Sequence, residues 1–176
     1  NAAKRLIDEI KDTAAYKEAF ISGQEALLLC DDKSTLVVVD TNRPDQVEFK
    51  PLLETAPRVC VVDHHRRAAD YIKPVVVNFH EPYASSASEL VAEMLQYIVD
   101  QSDILRLEAE ALLSGIVLDT KSFSIRTGSR TFDAAAFLRR AGADTAEVKK
   151  LLQSDLDSAR SRYSIVSGAR DYGHGI

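Results

Sequence analysis

Long apolar runs are missing from this sequence. No stretch approaches the roughly 20 apolar residues that a membrane-spanning helix needs, and mean hydropathy is −0.14. No membrane contact by this chain is expected. The opening NAAKRLIDEIKD is charged and reads as an amphipathic helix, not a signal peptide. Cysteine is scarce, with Cys30 and Cys60 alone and neither at metal-type spacing. That scarcity fits a reducing, cytoplasmic compartment. Positive charge is in deficit: 22 Lys and Arg against 27 Asp and Glu leave a net charge of −5. A long nucleic acid is therefore a poor partner. A small anion in a locally positive or metal-loaded pocket is not excluded. Repeats and low-complexity tracts are also absent.

What is present suits one domain with a real core. The 176 residues are 45% hydrophobic and 28% charged, an ordinary globular balance. Residues 1–29 read as helical. Residues 35–41 (TLVVVDT), 59–65 (VCVVDHH) and 75–79 (VVVNF) are short β-branched runs of the kind that form buried strands. Helical patterns dominate after Phe79. SSASELVAEMLQYIVD opens on a capping box of Ser86 and Glu89. LRLEAEALLSGIVLDT stops at Asp119-Thr120, and RTFDAAAFLRRAGA ends at Gly142. Asp144 and Glu147 suggest a second capping box, and a last helix is expected at about residues 155–169. Strands separated by long connections predict an α/β fold, a parallel sheet flanked by helices, with a helical C-terminal half.

Two strands end alike, LVVVD at Asp40 and VCVVD at Asp63. Carboxyl ends of parallel strands share one edge, where ligands bind. If the strands are neighbours, Asp40 and Asp63-His64-His65 share one small space. Consecutive histidines in extended chain point to opposite sides. One suits a metal, the other a ligand, and Asp63 suits the support of a histidine. Asp119, ending an apolar helix, needs a partner if buried. Asp40, His64 and Asp119 form a mixed oxygen and nitrogen set, suited to manganese, iron or zinc more than calcium. Asp40 and Asp119-Thr120 equally suit turns or caps. His80 reads as a packing or loop-capping residue. Downstream, TKSFSIRTGSR brings Lys121, Arg126, Ser129 and Arg130 near a helix start, which suits a phosphate.

The segments LVVVDTNRP, VVDHHRR, EPYASSASELV and ALLSGIVLDTKSFSIRTGSRTFDAA resemble the DHH phosphoesterase superfamily. Within it, the resemblance is to the GdpP-type cyclic-di-AMP phosphodiesterases. SFSIRTGSRTFDAA separates that branch from RecJ nucleases and family II pyrophosphatases. The resemblance implies a Rossmann-like catalytic domain over residues 1–170 and a linker at 171–176. It implies that Asp40 bridges two manganese ions and that His64 and Asp119 complete the second metal site. His65 would contact the scissile phosphate, with Asp63 its catalytic support, and Arg126, Ser129 and Arg130 would bind substrate. The implied reaction opens cyclic-di-AMP to linear pApA by a two-metal mechanism. Short oligonucleotide cleavage, or a non-catalytic nucleotide- or metal-binding role, are the rival expectations.

The family's His-x-x-x-Asp-x-Asp motif does not occur in residues 1–39. The resemblance therefore implies a middle piece of a membrane-anchored bacterial protein, with its DHH-associated domain beyond this chain. Expected consequences are partial manganese occupancy at most, little hydrolysis by this chain alone, and an uncovered apolar edge that favours a homodimer.

Overall fold

The computed structural model describes residues 4–152. The expected helix at 155–169, the linker at 171–176 and His174 lie outside the described residues. The three apolar runs form strands β1 (Leu36–Val39), β2 (Val59–Asp63) and β3 (Val77–His80). They pair in parallel in the order β1-β2-β3, with Val39 opposite Val62 and Asp63 opposite His80. All three carboxyl ends therefore lie on one edge, and the sequence-based pairing of β1 with β2 holds.

Side chains alternate across each strand, so the sheet has two faces. On one, Val38, Val59 and Val61 pack with Ile72, Leu53 and Val47. The 5-residue helix α3 (Pro51–Thr55) supplies Leu53. On the other face, Val62 and Phe79 meet Leu90, Val91 and Met94 of α4 (Ala87–Ile98). A larger core lies among α4, α5 (Arg106–Asp119), α6 (Ser129–Arg140) and α7 (Thr145–Leu152), around Leu113, Ile116, Phe137 and Leu138. Gly115 lets α5 approach α4 closely, since a Cβ there would collide with the Ser88 hydroxyl. Gly142 ends α6 in the left-handed region, φ +104°. There Ala143 and Gly142 N–H groups donate back to Leu138 and Arg139 carbonyls, a Schellman ending.

Three local expectations change. Within the expected helix at 1–29, the described residues form α1 (Lys4–Lys11), a 3-10 turn (Ala14–Tyr16) and α2 (Gly23–Leu29), because Ser22 and Glu25 cap a new start for α2. Ser86 does cap α4, but the Glu89 carboxylate turns to Ser85, accepting from its N–H at 3.1 Å and its hydroxyl at 2.5 Å. The N–H of Asp144 donates to Glu110 on α5 rather than to Glu147. In the first box Ser85, next to the N-cap, takes the carboxylate; in the second a carboxylate from α5 takes the N–H in place of the local one. Among the described residues no helix is long and apolar enough to cross a membrane.

Candidate metal and phosphate site

Asp40 follows β1 directly. Its N–H still donates to the Val62 carbonyl at 3.0 Å, and then the chain turns with φ +65°. That region costs most residues about 1–2 kcal/mol and is tolerated best by Asn and Asp after Gly. The turn leaves the Asp40 side chain 60% exposed, with Oδ1 at 3.4 Å from His64 Nε2 and 3.9 Å from His65 Nδ1.

Asp63 ends β2 and is fully buried. Its Oδ1 accepts from His65 Nδ1 at 2.8 Å and from the His65 N–H at 3.2 Å; Oδ2 accepts from Asn42 Nδ2 at 2.5 Å. Burial pushes this carboxyl up, but the hydrogen bonds from His65 and Asn42 outweigh it and hold it below its usual range. Asp63 therefore orients His65, not His64. Asn42 also donates to the Arg66 carbonyl and accepts from the Ala68 N–H at 2.9 Å, stapling the turn after β2. His80 holds this loop rather than its own, with Nε2 at 2.5 Å from the His65 carbonyl oxygen.

His64 is buried, with Nδ1 at 3.4 Å from the Ala84 carbonyl. Nδ1 must carry the proton to donate there. In neutral His64, the Nε2 lone pair then faces two carboxylates, Asp40 Oδ1 at 3.4 Å and Asp119 Oδ2 at 3.7 Å. Such a meeting calls for a proton or a cation between them. Accordingly the hydrogen bond with Asp40, against burial, pushes His64 up, and burial followed by the Asp40 charge pushes Asp119 up. The donor set fits a divalent cation, and the Nδ1–H to carbonyl bond is the usual support of a ligating imidazole. The tightest group is Asp40, His64 and His65, whose ligand atoms all lie within 4.8 Å of one another. Asp119 joins through its approach to His64. Thr120, fully buried, does the capping at this helix end by donating to the Ile116 carbonyl at 2.7 Å.

A cavity of about 600 Å³ opens beside the histidines. Arg66, Tyr83 and Ala84 line it with Arg126, Thr127 and Gly128. The loop after α5 carries four left-handed residues, Lys121, Ser122, Phe123 and Arg126, which bring Arg126 to the cavity. Ser129 and Arg130 do not line it. Arg130 is bound by both oxygens of Glu93, at 2.8 and 2.7 Å, with Glu81 at 3.7 Å. Its guanidinium ties α6 to α4. Sequence reading missed Asn42, Arg66 and Tyr83, and took Glu89 as a cap for α4 when its carboxylate holds Ser85. The adjacency of Asn42 to DT, and of Arg66 to DHH, was the available signal; for Tyr83 there was none.

Comparison with protein families matches residues 3–116 to the DHH family, N-terminal domain. The chain is 46% identical over 174 residues to the cyclic-di-AMP phosphodiesterase GdpP of Geobacillus thermodenitrificans, covering 99% of this chain and 26% of that protein. It is 45% identical over 173 residues to the cyclic-di-AMP phosphodiesterase PdeA of Listeria monocytogenes, covering 98% and 26%. The chain thus spans about a quarter of the curated relatives it matches. A crystal structure of an exopolyphosphatase-related protein from Bacteroides fragilis superposes with a TM-score of 0.76 at 20% identity, over 98% of this chain and 50% of that one. That likeness supports the fold.

Proposed function

The chain belongs to the DHH family, and on that premise we propose that it is catalytic machinery of a cytoplasmic, manganese-dependent phosphodiesterase opening cyclic-di-AMP to linear pApA. One observation carries the reading. The buried His64, its Nδ1 tied to Ala84, turns Nε2 onto Asp40 and Asp119 at the carboxyl edge of a parallel sheet. These three residues would hold a cation, and the phosphate would sit beside them. The cation, when bound, supplies Lewis acidity and an activated water. His65, with Nδ1 fixed by Asp63, presents Nε2 to the phosphate. By accepting from Nδ1, the buried Asp63 carboxylate fixes the orientation of the His65 ring at the cavity. Arg126 draws the anionic substrate in.

Three ligands would hold one ion weakly, and a two-metal centre would need further ligands beyond these. Little turnover by the 176 residues alone is the expected consequence. A second copy of the chain is proposed as partner, against β1, where Val37 and Val39 are half-exposed.

The test is hydrolysis of cyclic-di-AMP by the full-length protein with manganese, with pApA as product. Replacing Asp63, His64 and His65 together by Ala should abolish it, and retained hydrolysis would refute the assignment. Faster cleavage of pApA than of the ring would favour an oligonucleotide nuclease.

A further inference from the structure

A phosphodiester lying at His64 and His65 leaves the nucleosides and the second phosphate of a cyclic dinucleotide without partners. The adjoining cavity offers them. Its volume, about 600 Å³, lies in the range of small-molecule sites. One wall is the turn at 82–84, and Tyr83 on it is 93% exposed, more than any other large hydrophobic side chain among the described residues. The ring is free while its backbone is fixed on both sides. Before it, Glu81 Oε1 accepts from the Tyr83 N–H at 3.4 Å. After it, Ala84 contacts His64 and Ser85 is clamped by the buried Glu89. The turn therefore presents an aromatic face at small further cost in backbone ordering.

Arg66 and Arg126 also line the cavity. Both are exposed, and neither has a salt bridge among the described residues, whereas Arg43, Arg106 and Arg130 each meet a carboxylate. In a chain of net charge −5, two guanidiniums outside any salt bridge among the described residues, beside a free aromatic ring, match one ligand chemistry. An aromatic face stacks a base of any identity, and a guanidinium fork binds phosphate oxygens.

We propose that this cavity is the subsite for one nucleotide unit of the substrate, with Tyr83 as the stacking platform for its base and Arg66 with Arg126 as the clamp for the phosphate that is not cleaved. The assignment rests on the phosphodiesterase reading above. Tyr83 contributes the ring face rather than its hydroxyl, so phenylalanine should replace it. Recognition by stacking also tolerates either purine, so the subsite favours nucleotides as a class.

The experiment is steady-state hydrolysis of cyclic-di-AMP by the full-length protein loaded with manganese. Tyr83→Ala should raise KM about 10-fold, the scale of one lost base stack, with kcat little changed. Tyr83→Phe should restore KM, and Arg66→Ala should raise it independently. Tyr83 is so exposed that its loss should leave the melting temperature unmoved, which a thermal melt verifies. An unchanged KM in Tyr83→Ala, or a Tyr83→Phe variant as impaired as the alanine one, would overturn the subsite while leaving the phosphodiesterase reading intact. An unsubstituted protein that does not cleave cyclic-di-AMP would overturn both.

Discussion

Strands β1 and β2 are written almost alike, LVVVD and VCVVD, and lie side by side in register. Their surroundings differ sharply. Val61 and Val62 of β2 are each 2% exposed, while Val37 and Val39 of β1 are 53% and 52% exposed. β2 has a strand on either side and packing on both faces. β1 is an edge strand, and the packing from α4 reaches Val62 and Phe79 but not its outer face. The two aspartates diverge in the same way. Asp63 is sealed under Asn42 and His65 with both oxygens used. Asp40 stands mostly in the open on a left-handed turn, oxygen toward His64. Centre or edge of the sheet, rather than the local text, makes one acid a brace and leaves the other free to ligate.

The largest effect should come from equal truncations in the two strands. Val61→Ala should destabilise by about 2–3 kcal/mol, through lost burial and the cavity left behind. Val37→Ala should stay within about 0.5 kcal/mol, as at other exposed positions. Denaturant melts of the two variants check this, and equal losses would break the contrast.

Asp63→Asn should cost about 1–3 kcal/mol near neutral pH, by unmaking a buried charge-assisted bond. The effect should depend on pH. The Asp63 carboxyl is held below its ordinary range, so its stabilisation is present above the unfolded value of about 3.9. It is lost as pH falls through the lower, folded value. Asp63→Asn should therefore flatten the acid side of the stability profile of the chelator-treated protein. A profile as steep as that of the unsubstituted protein would argue against Asp63 as the brace.

The smallest effect concerns assembly. Replacing Val37 and Val39 by Lys should reduce concentration-dependent self-association in light scattering and change the melting temperature little. An unsubstituted chain that stays monomeric across a wide concentration range would show that the open side of β1 does not pair.

Much of the site was legible in advance because local chemistry marks it. Asp-His-His behind a buried strand has few purely structural uses, and parallel pairing of two apolar runs suffices to bring Asp40 within reach of His64. Asp119 was picked out on the premise of burial, but its side chain is 38% exposed; what brings it to His64, at 3.7 Å, is the place where α5 ends. Where side chains choose among competing partners, sequence was a weaker guide. Glu89 and Glu147 stand at capping-box spacing, yet Glu89 turns to Ser85, and Glu110 on α5 takes the N–H of Asp144 that Glu147 was expected to hold. Arg130 stands beside the phosphate-type loop in sequence, but α4 offers it Glu93 in bidentate geometry.

The sequence by itself determined the strands, the α/β class and the Asp-His-His cluster at the sheet edge, since periodicity, β-branching and residue chemistry are properties of short segments. Only the tertiary structure decided which histidine Asp63 holds, which arginine faces the cavity and which tyrosine is left bare. Those outcomes depend on distances of a few ångströms between elements far apart in the chain, where the nearest well-aligned partner takes the hydrogen bond.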